Sequence, residues 1–208
     1  MARKGFTSIA SLKGGRVGIL NQTEGTFSQI RTMLARHGLQ YPGDYNIVET
    51  GGVPARHKAL LSGTIDAGLQ SIPWCFEEED LGMTNLGYVS DVIPDWQFVS
   101  VNADQRWAAG NAGAVERFLR VLREATEWVY SNRDAAARIA AEKLPTRLDY
   151  AGRAWDHYTN TNALTRDMHP SEAGLSEVIR VQKANGILPT TASNQTASYL
   201  DLRYLAKA

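Results

Sequence analysis

The stretch from Ser11 to Phe27 constrains the fold of this chain more than any other part of the sequence. A basic, glycine-containing turn leads into a short apolar run, residues 16–20, which is bounded by turn residues and predicts a buried parallel strand. A polar turn follows, and from Thr26 the apolar residues recur at helical spacing. A strand that runs directly into a turn and a helix is half of a βαβ unit. Sheets built from such units bind ligands at the carboxyl ends of their strands.

The turn after this first strand is therefore a candidate binding site. Its polar and small residues include Asn21, Thr23, Gly25 and Thr26. The free N–H groups at the start of the next helix favour a carboxylate, sulfonate or phosphate group. An ordinary N-capped turn uses the same residue types without any ligand. We expect ligand contact at this turn.

The first half of the chain repeats the strand–helix alternation. Helices are predicted at residues 26–37 and 54–63, and strands at 45–49 and 65–69. Two further strands are predicted at residues 85–90 and 97–102. Short connections between alternating strands and helices indicate a parallel, doubly wound α/β sheet.

The second half of the chain is predicted to be helical. Helices are expected at residues 111–131, at 133–143, from 148, at 171–185 and at 197–205. Their apolar faces need a partner, so the helices form either an independent bundle or the cover of a second sheet outside this chain. The stripe on the first of these helices consists of Val115, Phe118, Leu119, Leu122, Ala125 and Val129, and a later helix adds Trp155 and Tyr158.

A second group of candidate ligand-binding residues follows the third predicted strand. Gln70, Ser71 and Trp74 combine an aromatic ring with polar groups, which suits a small amphipathic ligand, although Trp74 could equally belong to the core. Tyr88, in the next predicted strand, is a further candidate.

The single cysteine, Cys75, could be a nucleophile, since a helix N-terminus lowers a thiol pKa. A lone cysteine with no histidine near it in sequence is more often a buried apolar residue. The four histidines show no metal-ligand spacing, and no phosphate-binding or dinucleotide-binding glycine motif is present. We expect no catalytic residue, no metal and no cofactor.

Charge and hydropathy exclude several classes of partner. The chain has 22 basic and 22 acidic residues, so nothing favours binding to nucleic acid. No apolar run approaches the length of a membrane span. The basic N-terminus lacks the apolar core of a secretory signal. Taken as given, the chain would be cytoplasmic.

Four motifs in sequence order resemble the nitrate, sulfonate, taurine and thiamine-precursor branch of the type II periplasmic binding proteins. Residues 5–18, GFTSIASLKGGRVG, are similar to the entry into the second lobe of that family, although Ser11 replaces the usual Asp. Residues 59–67, ALLSGTIDA, resemble its A-L-x-S-G-x-I-D-A motif. Residues 118–136 resemble its return helix. Residues 186–189, together with residues 199–204, resemble its usual ending.

The resemblance implies a periplasmic-binding-protein-like II fold and a solute-binding component of an ABC-type importer. Residues 12–104 would form the second, α/β lobe, and residues 1–11 and 105–208 would supply hinge segments and helices of a first lobe whose sheet lies largely outside this chain. The ligand would be a small anionic or heterocyclic molecule, and the partners a membrane permease and, through exposed helical faces, a second copy of the chain. An upstream signal peptide would make the protein periplasmic.

Two alternatives remain open at this point. One is an enzyme on the same fold, either desulfinase-like with Cys75 as nucleophile or similar to a pyrimidine synthase. The other is a cytoplasmic effector-sensing domain.

Overall fold

The computed structural model describes residues 1–208. The three strands are β1 (Arg16–Ile19), β2 (Asn46–Glu49) and β3 (Ala67–Gly68). The eight α-helices are α1 (Gly25–Arg36), α2 (Val53–Leu61), α3 (Trp74–Asp80), α4 (Gln105–Gly110), α5 (Ala112–Ser131), α6 (Arg133–Lys143), α7 (Leu148–Asn160) and α8 (Glu172–Ala184). Short 3-10 helices lie at Ile9–Leu12, Val89–Asp91, Thr196–Ser198 and Leu205–Lys207.

The sheet is parallel and has the order β2-β1-β3, with β1 in the centre. Gly18 of β1 lies opposite Val48 of β2 on one side and Gly68 of β3 on the other. Because β2 and β3 flank β1 on opposite sides, the chain reverses its direction of winding after β2. The crevice at such a reversal lies beyond the carboxyl ends of the strands.

The two faces of the sheet carry different helices. Val17 and Ile19 of β1 belong to the apolar core formed with Phe27 and Ile30 of α1. Side chains alternate along a strand, so Gly18 faces the other way. A Cβ atom at Gly18 would lie 2.5 Å from Cδ1 of Ile65 and 3.3 Å from Cγ of Arg56 in α2. Helices α1 and α2 therefore cover opposite faces, which confirms the predicted doubly wound α/β fold.

Local sequence signals explain the ends of α1. Glu24 is the N-cap residue, and its side chain accepts a hydrogen bond from the backbone N–H of Thr26. The helix ends before Gly38, whose φ of +83° is the left-handed conformation typical of a helix C-terminus. The helix thus ends within one residue of its predicted end at residue 37.

The amino edge of the sheet is held together by Asp66. Its carboxylate accepts hydrogen bonds from the backbone N–H of Arg16 at 2.9 Å and from the Arg16 side chain at 3.0 and 2.8 Å. Arg3 adds a fourth at 3.2 Å. These bonds, chiefly those from the Arg16 side chain, hold the pKa of Asp66 below its usual range. Asp66 thus ties the start of β3 to the start of β1.

By its internal contacts, the chain divides into two compact units. The first comprises residues 1–96 and 179–190, and it contains the sheet with α1, α2 and α3. Besides the core around α1, it buries Leu60 and Ile65 completely.

The second unit comprises residues 97–178 and 191–208 and contains α4 to α7. The helices α6 and α7 are joined by a bidentate ion pair in which Arg133 donates to Asp156 at 2.8 and 2.6 Å. Ala137, Tyr150, Ala151 and Ala154 are buried in this unit. None of the helices in the structure is both long enough and apolar enough to cross a membrane.

Three elements predicted from sequence are wrong. Residues 85–90 and 97–102 form no strand, and residues 197–205 form 3-10 turns instead of one helix. Residues 97–102 have the apolar composition of a strand but make no backbone hydrogen bonds to a neighbouring one. Phe98, Val99 and Val101 consequently remain exposed. Strand formation depends on a partner, and the local pattern does not reveal whether one is present.

Candidate functional site

Three loops of the first unit meet at the carboxyl edge of the parallel sheet. They follow β1 at residues 20–24, β2 at residues 50–52 and β3 at residues 69–73. The backbone N–H and the side-chain hydroxyl of Thr50 both donate to the carbonyl oxygen of Ile19, at 2.9 and 3.2 Å, and fix the first two loops to each other. Ligands of open α/β sheets bind beyond this edge, where the winding reverses.

The loop after β1 brings Asn21, Thr23, Gly25 and Thr26 together. The side-chain oxygen of Asn21 accepts hydrogen bonds from the backbone N–H of Thr23 at 3.0 Å and from its hydroxyl at 2.8 Å. Gly25 begins α1, and a Cβ atom there would lie 3.7 Å from the ring of Trp96.

The start of α1 is occupied by a carboxylate of the chain itself. Glu24 accepts a hydrogen bond from the backbone N–H of Thr26 at 2.9 Å, and its second oxygen bonds the Thr26 hydroxyl. This negative group takes the position at a helix N-terminus where an external anion would otherwise be favoured. Glu24 is not among the site residues predicted from the sequence.

The loop after β3 carries the second predicted group, at the same edge of the sheet. Both polar atoms of the Gln70 side-chain amide are buried and lack a hydrogen-bond partner. Ser71 is exposed. Trp74 begins α3 and is half-buried, with its ring 4.9 Å from the imidazole of His57.

Tyr88 lies elsewhere in the first unit. It is 48% exposed and precedes the 3-10 helix Val89–Asp91 rather than lying in a strand. The adjacent Gly87 lies near Met33, where a Cβ atom on the glycine would be 3.7 Å from the Met33 Cε. Met33 is about two helical turns beyond the start of α1. The structure thus places Tyr88 beside the second half of α1.

A buried arginine reaches the carboxyl edge from α2. The Arg56 side chain runs over the paired glycines of β1 and β3: a Cβ atom at Gly68 would lie 2.8 Å from its Cδ. Its Nε donates to the carbonyl oxygen of Leu69, just after β3, at 2.6 Å. Arg56 is only 3% exposed. Arg56 is not among the residues predicted from the sequence, although two glycines in neighbouring strands are a signal for a side chain that crosses the sheet closely.

The next residue along α2 forms a buried acid–base pair. Nδ1 of His57 lies 2.8 Å from Oε1 of Glu78, and both residues are buried. Burial raises the pKa of the Glu78 carboxyl, and its second oxygen has no hydrogen-bond partner. This pair links α2 to α3.

The remaining candidates for chemistry are the cysteine and the side chains of the types that bind metal ions. Cys75 is the second residue of α3 and is buried. No three His, Cys, Asp or Glu side chains are arranged to hold a metal ion. An open cavity of about 390 Å³ in the second unit is lined by Arg123, Glu127, Arg166, Asp167 and His169. Arg166 there is paired with Glu127, and Arg123 donates to the backbone carbonyl of Ala208 at 2.9 Å.

A doubly wound parallel sheet with polar loops at its carboxyl edge is the architecture of open α/β proteins that bind ligands at this edge. Residues 1–136 match the family described as NMT1/THI5 like. The match covers more than half of the chain, and the chain belongs to that family.

Curated relatives include a protein of Brucella abortus (strain 2308) described as a binding protein. It is 30% identical over 147 residues, which are 69% of this chain and 45% of the relative. The chain therefore spans less than half the length of the curated relatives it matches.

Solved structures share the fold. The alkanesulfonate-binding protein SsuA from Xanthomonas axonopodis pv. citri, bound to MOPS, has a TM-score of 0.65 at 16% identity, over 90% of this chain and 63% of SsuA. The desulfurization enzyme DSZB has a TM-score of 0.63 at 15% identity, over 99% of this chain and 73% of the enzyme. At these identities the likeness shows the fold alone.

Proposed function

We propose that this chain provides the ligand-binding edge of the solute-binding component of an ABC-type importer. The main support for this proposal is the arrangement of polar residues at the carboxyl edge of the β2-β1-β3 sheet. Two groups of polar residues flank the reversal of winding there, one after β1 and one after β3. The description of the Brucella relatives as binding proteins supports the same role.

The ligand would be a small anionic or heterocyclic molecule, of the sulfonate, nitrate, taurine or thiamine-precursor class. SsuA, which shares the fold, is described as an alkanesulfonate-binding protein bound to MOPS, and this description supports the sulfonate class. Contacts from Asn21, Thr23, Gly25 and Thr26 would come from one loop, and those from Gln70, Ser71 and Trp74 from the other. A ligand held by two hinged lobes favours the closed state, because only that state makes both sets of contacts.

The role implies two partners and a location. A membrane permease would accept the solute, and the protein would act in the periplasm. Exposed apolar side chains on α5, among them Phe118 and Trp128, would support self-association through helical faces. Sedimentation of the purified chain would test this, and a compact monomer that leaves these side chains solvated would argue against it.

Binding can be tested by calorimetry with a panel of solutes: MOPS, taurine, nitrate, thiamine and an uncharged sugar. We expect at least one nitrogen-containing or anionic member to bind and the sugar not to bind. Replacement Thr26→Phe should weaken the binding about tenfold or more, because the larger ring would fill space beside the turn and would remove the hydrogen bond from the Thr26 hydroxyl to Glu24 that orders it. The control Thr64→Phe changes an exposed threonine that precedes β3 at the opposite edge and should leave affinity unchanged. Equal affinities for the two variants would remove the turn after β1 from the site.

The fold shared with DSZB keeps one alternative in view, an enzyme that cleaves a carbon–sulfur bond. Such an enzyme would need an accessible nucleophile, whereas Cys75 is buried. Incubation with an aryl sulfinate and detection of released sulfite distinguishes the two functions. Turnover that disappears in Cys75→Ser would replace the importer role by catalysis.

A further inference from the structure

The carboxyl edge contains one cation whose charge the protein does not pair directly. Arg56 is almost fully buried, and among its guanidinium nitrogens only Nε has a hydrogen-bond partner, the carbonyl oxygen of Leu69 at 2.6 Å. No carboxylate lies within ion-pair distance of Arg56. A buried charge without a partner is costly, so such a group usually faces a ligand or another charge.

The direction of the side chain shows where the free nitrogens lie. The Arg56 Cγ lies over Gly18 and Gly68, Cδ lies nearest Gly68, and Nε has reached Leu69 beyond the end of β3. The side chain thus runs along the strands toward their carboxyl ends. The two remaining nitrogens are not fully enclosed by protein atoms, and they lie next to the reversal of winding between β1 and β3.

Gly18 and Gly68 leave the space that the Arg56 side chain occupies. Gly18 and Gly68 are direct neighbours across the β1–β3 pairing. A Cβ atom at either position would lie within 3.3 Å of the Arg56 stem. A guanidinium fixed by backbone contacts and one short hydrogen bond is a preorganised fork for a planar or tetrahedral anion.

The negative charge of Glu24 affects how strongly Arg56 can attract an anion. Burial lowers the pKa of Arg56. The negative charges of Glu24 and, to a smaller extent, of the buried Glu78 raise this pKa without direct contact. Glu24 also fills the N-terminus of α1, so the helix itself offers little to an external anion. Arg56 is therefore the group at this edge that attracts an anion, and the negative charge of Glu24 repels it.

We propose that Arg56 binds the anionic head group of the solute, a sulfonate or carboxylate, through its two free nitrogens. Glu24 weakens this binding and so sets the affinity. The inference rests on the solute-binding role proposed above and identifies the residue that selects for charge.

The test compares two probes with the same tail, butanesulfonate and the uncharged butyl methyl sulfone, by calorimetry on the full chain. Wild type is expected to bind the sulfonate about tenfold or more tightly than the sulfone, as one or more charged hydrogen bonds require. Arg56→Met should abolish the difference, and Arg56→Lys should lose about tenfold in sulfonate affinity because lysine cannot form the bidentate contact. The matched control is Lys58→Met, which removes an exposed positive charge from the same helix and should change neither affinity.

A second variant keeps the proposal falsifiable if Arg56→Met does not fold. Glu24→Gln removes the opposing charge at a partly exposed position and should raise sulfonate affinity about threefold to tenfold, with the sulfone unchanged. A sulfonate affinity that stays unchanged or falls in Glu24→Gln would place the anion away from Glu24 and Arg56.

Other outcomes separate this inference from the proposed function. Equal binding of sulfonate and sulfone, or no sulfonate binding while another solute of the panel binds, would overturn the role of Arg56 and leave solute binding intact. No binding by any solute of the panel or by either probe would overturn both.

Discussion

The replacement Asp66→Asn tests how the amino edge of the sheet is held. The Asp66 carboxylate accepts four hydrogen bonds, three from Arg16 and one from Arg3, at 2.8–3.2 Å. The Asp66 side chain is 12% exposed, and both arginine side chains are 43% exposed. Asparagine has the same shape but turns an NH₂ group toward cationic donors and carries no charge.

The expected cost follows from these contacts. A hydrogen bond to a charged group contributes about 1.5–3 kcal/mol, and breaking a fully buried pair costs about 3–5 kcal/mol. The exposure of both arginines screens part of this interaction. We therefore expect Asp66→Asn to lower the free energy of unfolding by about 2–3 kcal/mol at pH 7.

The pH dependence provides a second, independent readout. Because the folded-state pKa of Asp66 lies below its ordinary value of 3.8, the carboxylate stabilises the fold above that value. This contribution is lost as the pH falls through the lower, folded-state pKa. The difference between wild type and Asp66→Asn should therefore be full at pH 7 and shrink below about pH 4.

Urea unfolding followed by circular dichroism at pH 7 and pH 3 measures both effects. The control Asp95→Asn removes an exposed aspartate of the same unit and should stay within about 0.5 kcal/mol of wild type. If Asp66→Asn behaves like this control at pH 7, or if its deficit grows on acidification, Asp66 does not stabilise the sheet in the way described.

Three further predictions concern the interior of the first unit. Gly18→Ala should lower the free energy of unfolding by about 1–3 kcal/mol, because the added Cβ would lie 2.5 Å from Ile65. The control Gly110→Ala, where the added Cβ meets open space, should leave the free energy of unfolding unchanged. Equal stabilities of the two variants would contradict the tight packing at Gly18. Because burial raises the folded-state pKa of Glu78, wild type should lose stability relative to Glu78→Gln as the pH rises above 4.5 in urea titrations, and a pH-independent difference would count against this. The buried Cys75 thiol should react with a thiol reagent only as the protein unfolds, and labelling at the rate of a free peptide thiol would restore it as a candidate nucleophile.

The sequence predicts the first unit well where local and tertiary preferences agree. Residues 16–20 are flanked by turns and lie before a capped helix, and β1 and α1 form within one residue of the predicted bounds. Helix α6, Arg133–Lys143, spans the residues predicted for it. At residues 97–102 the composition favours a strand, but no neighbouring strand completes the backbone hydrogen bonds. The pattern of apolar residues indicates which secondary structure a segment favours. Whether a strand forms there depends on a neighbouring strand that can pair with it.

The candidate site was predicted as a region, without its charged residues. The loops after β1 and β3 follow from the strand–turn–helix pattern. Arg56 looks like a surface residue of an amphipathic helix, yet it shares the buried face of α2 with Leu60, four residues later. Its burial depends on Gly18 and Gly68, which are fifty residues apart in sequence and adjacent in the sheet. Only the strand pairing brings these three residues together.

The motif at residues 59–67 shows why family membership and ligand identity separate in this fold. Its Asp66 binds Arg16 and Arg3 at the amino edge, and its Ile65 fills the space beside Gly18. These residues secure the sheet and lie away from the carboxyl ends of the strands. The groups that could distinguish one solute from another, Glu24, Arg56 and Gln70, lie outside this motif at the opposite edge. Under the proposed solute-binding role, a change of charge at Glu24 or Arg56 would alter the bound solute while every contact made by this motif stays in place, so the motif does not identify the ligand.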